Sequence, residues 1–276
     1  MQALRDLLNP SRLTAIVDVG ANQLDAKPPY QRMLDEGLCT VVGFEPQPDA
    51  LERLIQNKGP YETYLPHAIG NGQTHLLHLC QYQGMTGFLE PDQARLDIFA
   101  GTSKWGQVNQ IKPLPTVRLD DIPEVGAIDL LKIDVQGAEI EVFRSGRYKL
   151  TQAVAVQTEV SFMPIYKGQP TFAEVDLELR CMGFIPHCFA GAAIMPIATE
   201  VQVPHCDPHQ LLEADVFYVR DFTKPMDIEQ WKQLALIAHH VCGSFDLAMR
   251  AVSMLARLGA VADDTPHQYR RILEMA

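Results

Sequence analysis

The chain has no surplus of basic residues: 23 Lys and Arg stand against 34 Asp and Glu, a net charge of −11. Nucleic acids and anionic membranes both demand a basic surface, so neither is expected as a partner. The six cysteines, at positions 39, 80, 181, 188, 206 and 242, contain no C-x-x-C pair and no dense framework. Free thiols in a cytoplasmic protein are therefore expected. Met1–Pro10 holds no apolar signal core, and no apolar run approaches bilayer length, so no stable membrane insertion is expected. Two glycine signatures are missing as well: neither G-x-G-x-x-G nor G-x-x-x-x-G-K-[ST] occurs. Without such a phosphate cradle, nicotinamide-dependent and nucleotide-sugar enzymes are disfavoured.

What is present is an ordinary globular composition, 47% apolar and 21% charged, over 276 residues. The stretch from Ala15 to Pro48 organises the rest. Ala15–Val19 and Thr40–Phe44 are short, β-branched apolar runs, as in strands buried on both faces of a parallel sheet. Each ends in an acid-bearing turn: Asp18-Val19-Gly20-Ala21-Asn22 after the first, Glu45-Pro46 after the second. In a βαβ unit such turns lie side by side at the carboxyl ends of the strands, where open α/β sheets bind ligands. Gly20 permits close backbone approach, and Glu45 is placed to accept hydrogen bonds from a ribose diol. Asp18 would repel phosphate and favour a cation, such as the ammonium and sulfonium of S-adenosylmethionine.

Further along, Asp49–Gln56 reads as a helix with Leu51, Leu54 and Ile55 on one face, and Tyr61–Leu65 as the third strand. The stretch from Gln83 to Gln110 loses all periodicity and reads as a loop insertion bearing Trp105, a candidate for the acceptor pocket wall. Ile128–Val135 is the fourth strand and ends at Asp134; Ala153–Val160 is the fifth and carries Glu159. Lys132, inside an apolar strand, is expected to pair with Asp120 or Asp121. Thr171–Met182 is a helix stopped by Gly183. Phe184–Phe189 and Asp215–Arg220 read as the last two strands, joined by a Pro-, His- and Cys-rich connection. His187, Cys188, His205, Cys206 and His209 there fit no zinc spacing, and no metal is expected.

The motifs DVGAN, GFEPQP, HAIGNG, TVRLDDI and DLLKIDVQGAE, with the run from Thr158 through YKGQPTFAEVDLELRCMGF, resemble the FkbM family of S-adenosylmethionine-dependent methyltransferases. The resemblance spans about residues 12–221, in the family's order, although residues 23–29 form a longer loop than the family's. It implies a Rossmann-like class I methyltransferase fold: a mostly parallel seven-stranded sheet with helices on both faces. Residues 1–221 would form that domain and 222–276 a helical appendage, with helices over Met226–His240, Gly243–Leu258 and Pro266–Glu274. The appendage reads as a core-capping bundle, with a homodimer contact or a lid as the sharper alternative.

The resemblance further implies that S-adenosylmethionine is held by Asp18, Gly20, Asn22, Glu45 and the loop containing Ala68, Ile69 and Asn71, with Ala68 and Ile69 against the adenine. Methyl transfer from a sulfonium needs orientation, desolvation and, for a hydroxyl nucleophile, a base. Asp134 is the first candidate for that base, Glu159 the second and His67 the third. The expected acceptor is a hydroxyl of a sugar, glycan or secondary metabolite. The competing reading is a non-catalytic binding module of the same fold.

Overall fold

The computed structural model describes residues 2–22, 27–201, 203 and 207–275. The chain runs α1 (Gln2–Leu8), β1 (Thr14–Val19), α2 (Gln31–Asp35), β2 (Cys39–Phe44), α3 (Pro48–Asn57) and β3 (Glu62–Leu65). Then come β4 (Ala68–Ile69), β5 (Thr74–Cys80), α4 (Gln93–Leu96), β6 (Val108–Val117), β7 (Leu130–Ile133), α5 (Glu139–Ser145) and β8 (Ala155–Ser161). The rest is α6 (Phe172–Cys181), β9 (Phe184–Met195), β10 (Gln210–Arg220), α7 (Ile228–His240), α8 (Phe245–Arg257) and α9 (Thr265–Glu274). Seven strands form the main sheet in the order β3-β2-β1-β7-β8-β10-β9. The first five pair in parallel, while β10 runs antiparallel to β8 and to β9. This is the Rossmann-like class I methyltransferase sheet expected from the motifs.

Alternation along each strand divides the core into two layers. Ile16, Val41, Leu130, Ala155, Phe217 and Val219 face one side, where Leu4 and Leu8 of α1, Trp231, Leu234 and Ile237 of α7, and Ala251 and Leu255 of α8 cover them. Val17, Val19, Leu131, Ile133, Val156 and Val216 face the other, against Val142 and Phe143 of α5 and Val175 and Leu179 of α6. Burial on both sides explains why these strands read as continuous apolar runs.

Several expectations change. The 222–276 helices do cap the core, and with α1 and α2 they cover one whole apolar face of the seven-stranded sheet. Leu234, Ile237 and Ala238 of α7 are buried in that layer. On α3, Leu51 and Leu54 are half-buried and Ile55 is exposed. The stretch 83–110 contains the start of β6, which pairs antiparallel with β5 in a small second sheet, and Trp105 packs half-buried with its ring centroid 5.4 Å from that of Tyr82. The last two strands extend further toward their connection than the sequence suggested. At the start of α6, Thr171 and Glu174 form a capping box, and Gly183 adopts φ +85° just past its end. Cys39, Cys80, Cys181, Cys188 and Cys242 are free thiols, and Cys206 lies outside the described residues.

Candidate active site

The turn after β1 is drawn tight against its neighbours. The amides of Gly20 and Ala21 both donate to the Phe44 carbonyl, at 3.2 and 3.0 Å. Gly20 has φ +83°, and a Cβ there would stand 2.1 Å from the Asp134 carbonyl oxygen. The residue must be glycine, and the reason is backbone approach to β7's exit. One strand over, the Glu45 carboxylate is 3% exposed and accepts a hydrogen bond from the Gln47 amide at 2.7 Å. Burial pushes its carboxyl above the ordinary range, with the Gln47 amide and Arg53 opposing.

Glu45 borders a cavity of about 850 Å³, mouth included, at the carboxyl ends of β1, β2 and β7. Gly20, Asn22, Phe44, His67, Ala68, Ile69, Leu77 and Asp134 line it, and the 83–88 loop closes one side with Thr86, Gly87 and Phe88. Of the residues expected to hold cofactor, Gly20, Asn22, Glu45, Ala68 and Ile69 meet here; of the candidate bases, Asp134 and His67 do. From the 83–110 stretch, Phe88 and its neighbours line this cavity and Trp105 does not.

Asp134 is exposed into this cavity, and its Oδ1 accepts a hydrogen bond from Gln136 Nε2 at 2.8 Å. Gln136 Oε1 in turn accepts from the Tyr166 hydroxyl at 2.8 Å. The Tyr166 phenol is buried, and burial with the nearby Glu159 charge holds its pKa well above the ordinary value, so it stays a donor. That fixes which way the Gln136 amide points. Gln136 pays for the arrangement with a left-handed φ of +55°, unusual for a non-glycine residue. Gln136 and Tyr166 lie within the motifs DLLKIDVQGAE and YKGQPTF, but only the contact across 30 residues reveals that they act together.

Asp18, Asn71 and Glu159 fall elsewhere. Asp18 is 1% exposed behind the cavity wall, accepting from the Tyr30 hydroxyl at 2.5 Å with Lys132 Nζ at 3.1 Å. Burial raises its pKa, and Lys132 and Tyr30 pull it back. Lys132 therefore pairs with Asp18, its register partner on β1, rather than with Asp120 or Asp121. Asp120 instead accepts from the Tyr148 and Lys149 amides, and Asp121 approaches Arg118 at 3.8 Å. Asn71 Oδ1 accepts from the Gln73 amide at 2.9 Å and meets His75 Nε2 at 3.0 Å, outside the cavity lining.

Glu159 stands on β8, beyond Asp134, directly opposite Asp215 on β10. Like charges opposite one another in an antiparallel pair repel. Burial and the charges of Asp134, Glu213 and Glu139 push Glu159 well up, and burial with Asp134 and Asp215 pushes Glu213 up to about 7. Glu139, also pushed up to about 7 by burial, accepts from the Val135 and Gly137 amides and so builds the turn after Asp134. Among the described residues, no three His, Cys, Asp or Glu side chains are placed to hold a metal ion; His205 and Cys206 lie outside them. No helix of the described residues is long and apolar enough to cross a membrane.

The sheet order is the one that class I methyltransferases have, with the cavity at its strand ends. Residues 18–186 match the family model of the methyltransferase FkbM domain, and the chain belongs to that family. It is 31% identical over 176 residues to the 2-O-methyltransferase NoeI of Sinorhizobium fredii (strain NBRC 101917 / NGR234), covering 59% of this chain and 70% of that protein. Among solved structures, the methyltransferase FkbM from Methylobacillus flagellatus KT is 12% identical with a TM-score of 0.40, over 75% of this chain. The chain spans 43% of that protein's length. Magnesium protoporphyrin IX methyltransferase (ChlM) from Synechocystis PCC 6803, solved with bound SAM, is 11% identical with a TM-score of 0.36, over 79% of this chain and 78% of that one.

Proposed function

We propose that this methyltransferase acts on oxygen, methylating a hydroxyl of a sugar, a glycan or a secondary metabolite. The observation that carries the reading is Asp134: one carboxylate oxygen is held by Gln136, and the other is left for an incoming hydroxyl at the edge of the cavity. A nitrogen acceptor that is already neutral needs no such base; a hydroxyl does. The name of the S. fredii relative, a 2-O-methyltransferase, supports the same reading.

The cavity suits S-adenosylmethionine on its own features. Glu45 is a buried carboxylate with its Oε1 bound to the Gln47 amide, and it gains from donors such as a ribose diol. Ala68, Ile69, Phe44 and Leu77 offer an apolar slot for a flat ring, and Gly20 and Asn22 border the opposite end. When bound, the cofactor supplies a methyl group made electrophilic by its sulfonium. Asp134 accepts the proton of the acceptor hydroxyl, the Tyr166–Gln136 chain keeps Asp134 in orientation, and Phe88 with the 83–88 loop excludes water. His67, the third candidate base, lines the cavity as well, where it can orient the acceptor.

The test pairs calorimetry with labelled methyl transfer to a panel of sugars and glycosides. Glu45→Ala should weaken S-adenosylmethionine binding about 10–100-fold, equivalent to roughly 1.4–2.8 kcal/mol, and leave the fold intact. Unchanged affinity would remove Glu45 from the site. Label transferred to amines and never to hydroxyls would overturn the oxygen specificity.

A further inference from the structure

The sheet face that α7 and α8 cover turns polar toward the carboxyl ends of its parallel strands. Alternation puts Lys132 of β7, Gln157 and Glu159 of β8, and Glu213 and Asp215 of β10 on the side that carries Leu130, Ala155 and Phe217. Lys132 is committed to Asp18 at 3.1 Å. Among the described residues, no hydrogen bond or ion pair reaches the carboxylates of Glu159, Glu213 or Asp215. All three feel the charge of Asp134, so they stand around the candidate base. Asp134 and Asp215 are exposed, and Glu159 and Glu213 are half-buried, so a solute can reach the group.

Gln157 adds a second, independent sign of a missing partner. It is 8% exposed, and its Oε1 is buried with no donor. It pairs in register with Lys132 on one side and Phe217 on the other, two residues before Glu159 on the same face. A buried amide oxygen without a donor is costly, and folded proteins rarely leave one. The floor of the acidic group thus lacks a donor, and its rim lacks a cation.

The chemistry of the group selects the occupant. Burial and mutual repulsion hold the carboxyls of Glu159 and Glu213 above the ordinary range, so both tend to keep protons while the site is empty. A neutral hydroxyl would donate to one acid and leave the repulsion in place; a cation removes it. No three of these acids are placed to hold a metal ion. An ammonium group, with three donors pointing outward, suits oxygens spread more widely. It has no lone pair and cannot itself take a methyl group.

We infer that the acceptor is an amino sugar whose ammonium group is held by Glu159, Glu213 and Asp215, with the Gln157 amide at the floor, so that a neighbouring hydroxyl meets Asp134. This rests on the oxygen-methylation reading above and narrows it to a cationic acceptor.

Calorimetry on the full chain with S-adenosylhomocysteine present tests it. The methyl glycosides of glucosamine, galactosamine and mannosamine are each titrated beside the N-acetylated counterpart, which has no charge. The preferred amine should bind about 10–100-fold more tightly than its counterpart, as charge-assisted hydrogen bonds allow. Its binding heat should change with the ionisation enthalpy of the buffer, because Glu159 and Glu213 give up protons to the solution. Asp215→Asn with Glu213→Gln should abolish the preference and leave S-adenosylmethionine affinity unchanged; Asp215→Asn alone, at an exposed position, should reduce it. Amines that bind no more tightly than their counterparts overturn the inference, and so does a preference that survives the double variant. Labelled methyl transfer separates the two readings. Label on hydroxyls of neutral sugars, with no preference for amines, overturns this inference and leaves oxygen methylation standing. Label on the amine nitrogen overturns both, since that nitrogen then sits at the methyl group and not among these acids.

Discussion

At the β1–β7 end of the sheet, Asp18 is buried yet answered: Lys132 and Tyr30 supply a cation and a hydroxyl donor. At the β8–β10 end, Glu159 faces Asp215 across the ladder, with Glu213 and Asp134 nearby and their charges adding up. The same residue type at the same sheet edge does two different jobs. The answered acid holds the scaffold behind the cavity. Carboxylates left facing one another cost stability, and such costs collect where ligands are handled. Position at a strand end therefore does not identify a functional acid; the state of its partners does.

Three substitutions break or sharpen this contrast. The largest effect is expected at Asp134, which borders both regions. Asp134→Asn keeps the shape and removes the base, and should slow single-turnover methylation by about 10²–10⁴-fold while S-adenosylmethionine affinity changes far less. If affinity fell and the saturated rate held, Asp134 would belong with the cofactor contacts.

Next comes the answered pair. Lys132→Met leaves Asp18 buried with the Tyr30 hydroxyl but no cation, at a cost of about 3 kcal/mol in urea unfolding. A double variant, Lys132→Met with Asp18→Asn, should recover much of that loss. Failure to recover would mean that Lys132 acts through its hydrogen bond to the Gly20 carbonyl, at 3.2 Å, rather than through Asp18.

The smallest effect concerns Glu213. Its carboxyl titrates at about 7 in the folded protein against an ordinary 4.5, so the native state holds a proton that the unfolded chain releases. Stability on this account is full below about 4.5, falls as pH rises and is lost once pH passes about 7. Glu213→Gln removes the penalty and should raise Tm at pH 8 by about 2–4 °C, with no gain at pH 4. An equal gain at both pH values would point to packing instead of charge.

The parts legible in the sequence were those whose cause is local. β1, β2, β7 and β8 announce themselves as apolar runs because both faces are buried, and α6 because Thr171, Glu174 and Gly183 mark its ends. β6 did not. Pro113 and Pro115 argue against a strand, yet β4 pairs only with Thr116 and Val117, so the prolines lie where that edge of β6 is open. Lys132 was matched to acids close in sequence, while its partner lies 114 residues away and is set by strand register. The placement of Gly20, Glu45 and Asp134 at strand ends around one cavity could be read from turns alone. The Tyr166–Gln136 support behind Asp134 could not, since it depends on a left-handed glutamine. Helical periodicity found α7 and α8 but could not say which surface they cover.

That coverage bears on how the protein is made. When β10 leaves the ribosome, every strand of the main sheet has been synthesised, but the layer that shields Ile16, Leu130, Ala155 and Phe217 has only α1 and α2 in place and still lacks Trp231, Leu234 and Leu255. At translation rates of about 5–20 residues per second, the stretch through α9 follows roughly 3–11 s later. For that interval part of the apolar sheet face has nothing to cover it, the kind of exposed surface on which incomplete chains aggregate. Synonymous changes that slow translation of α7 would lengthen the exposure without altering a single residue.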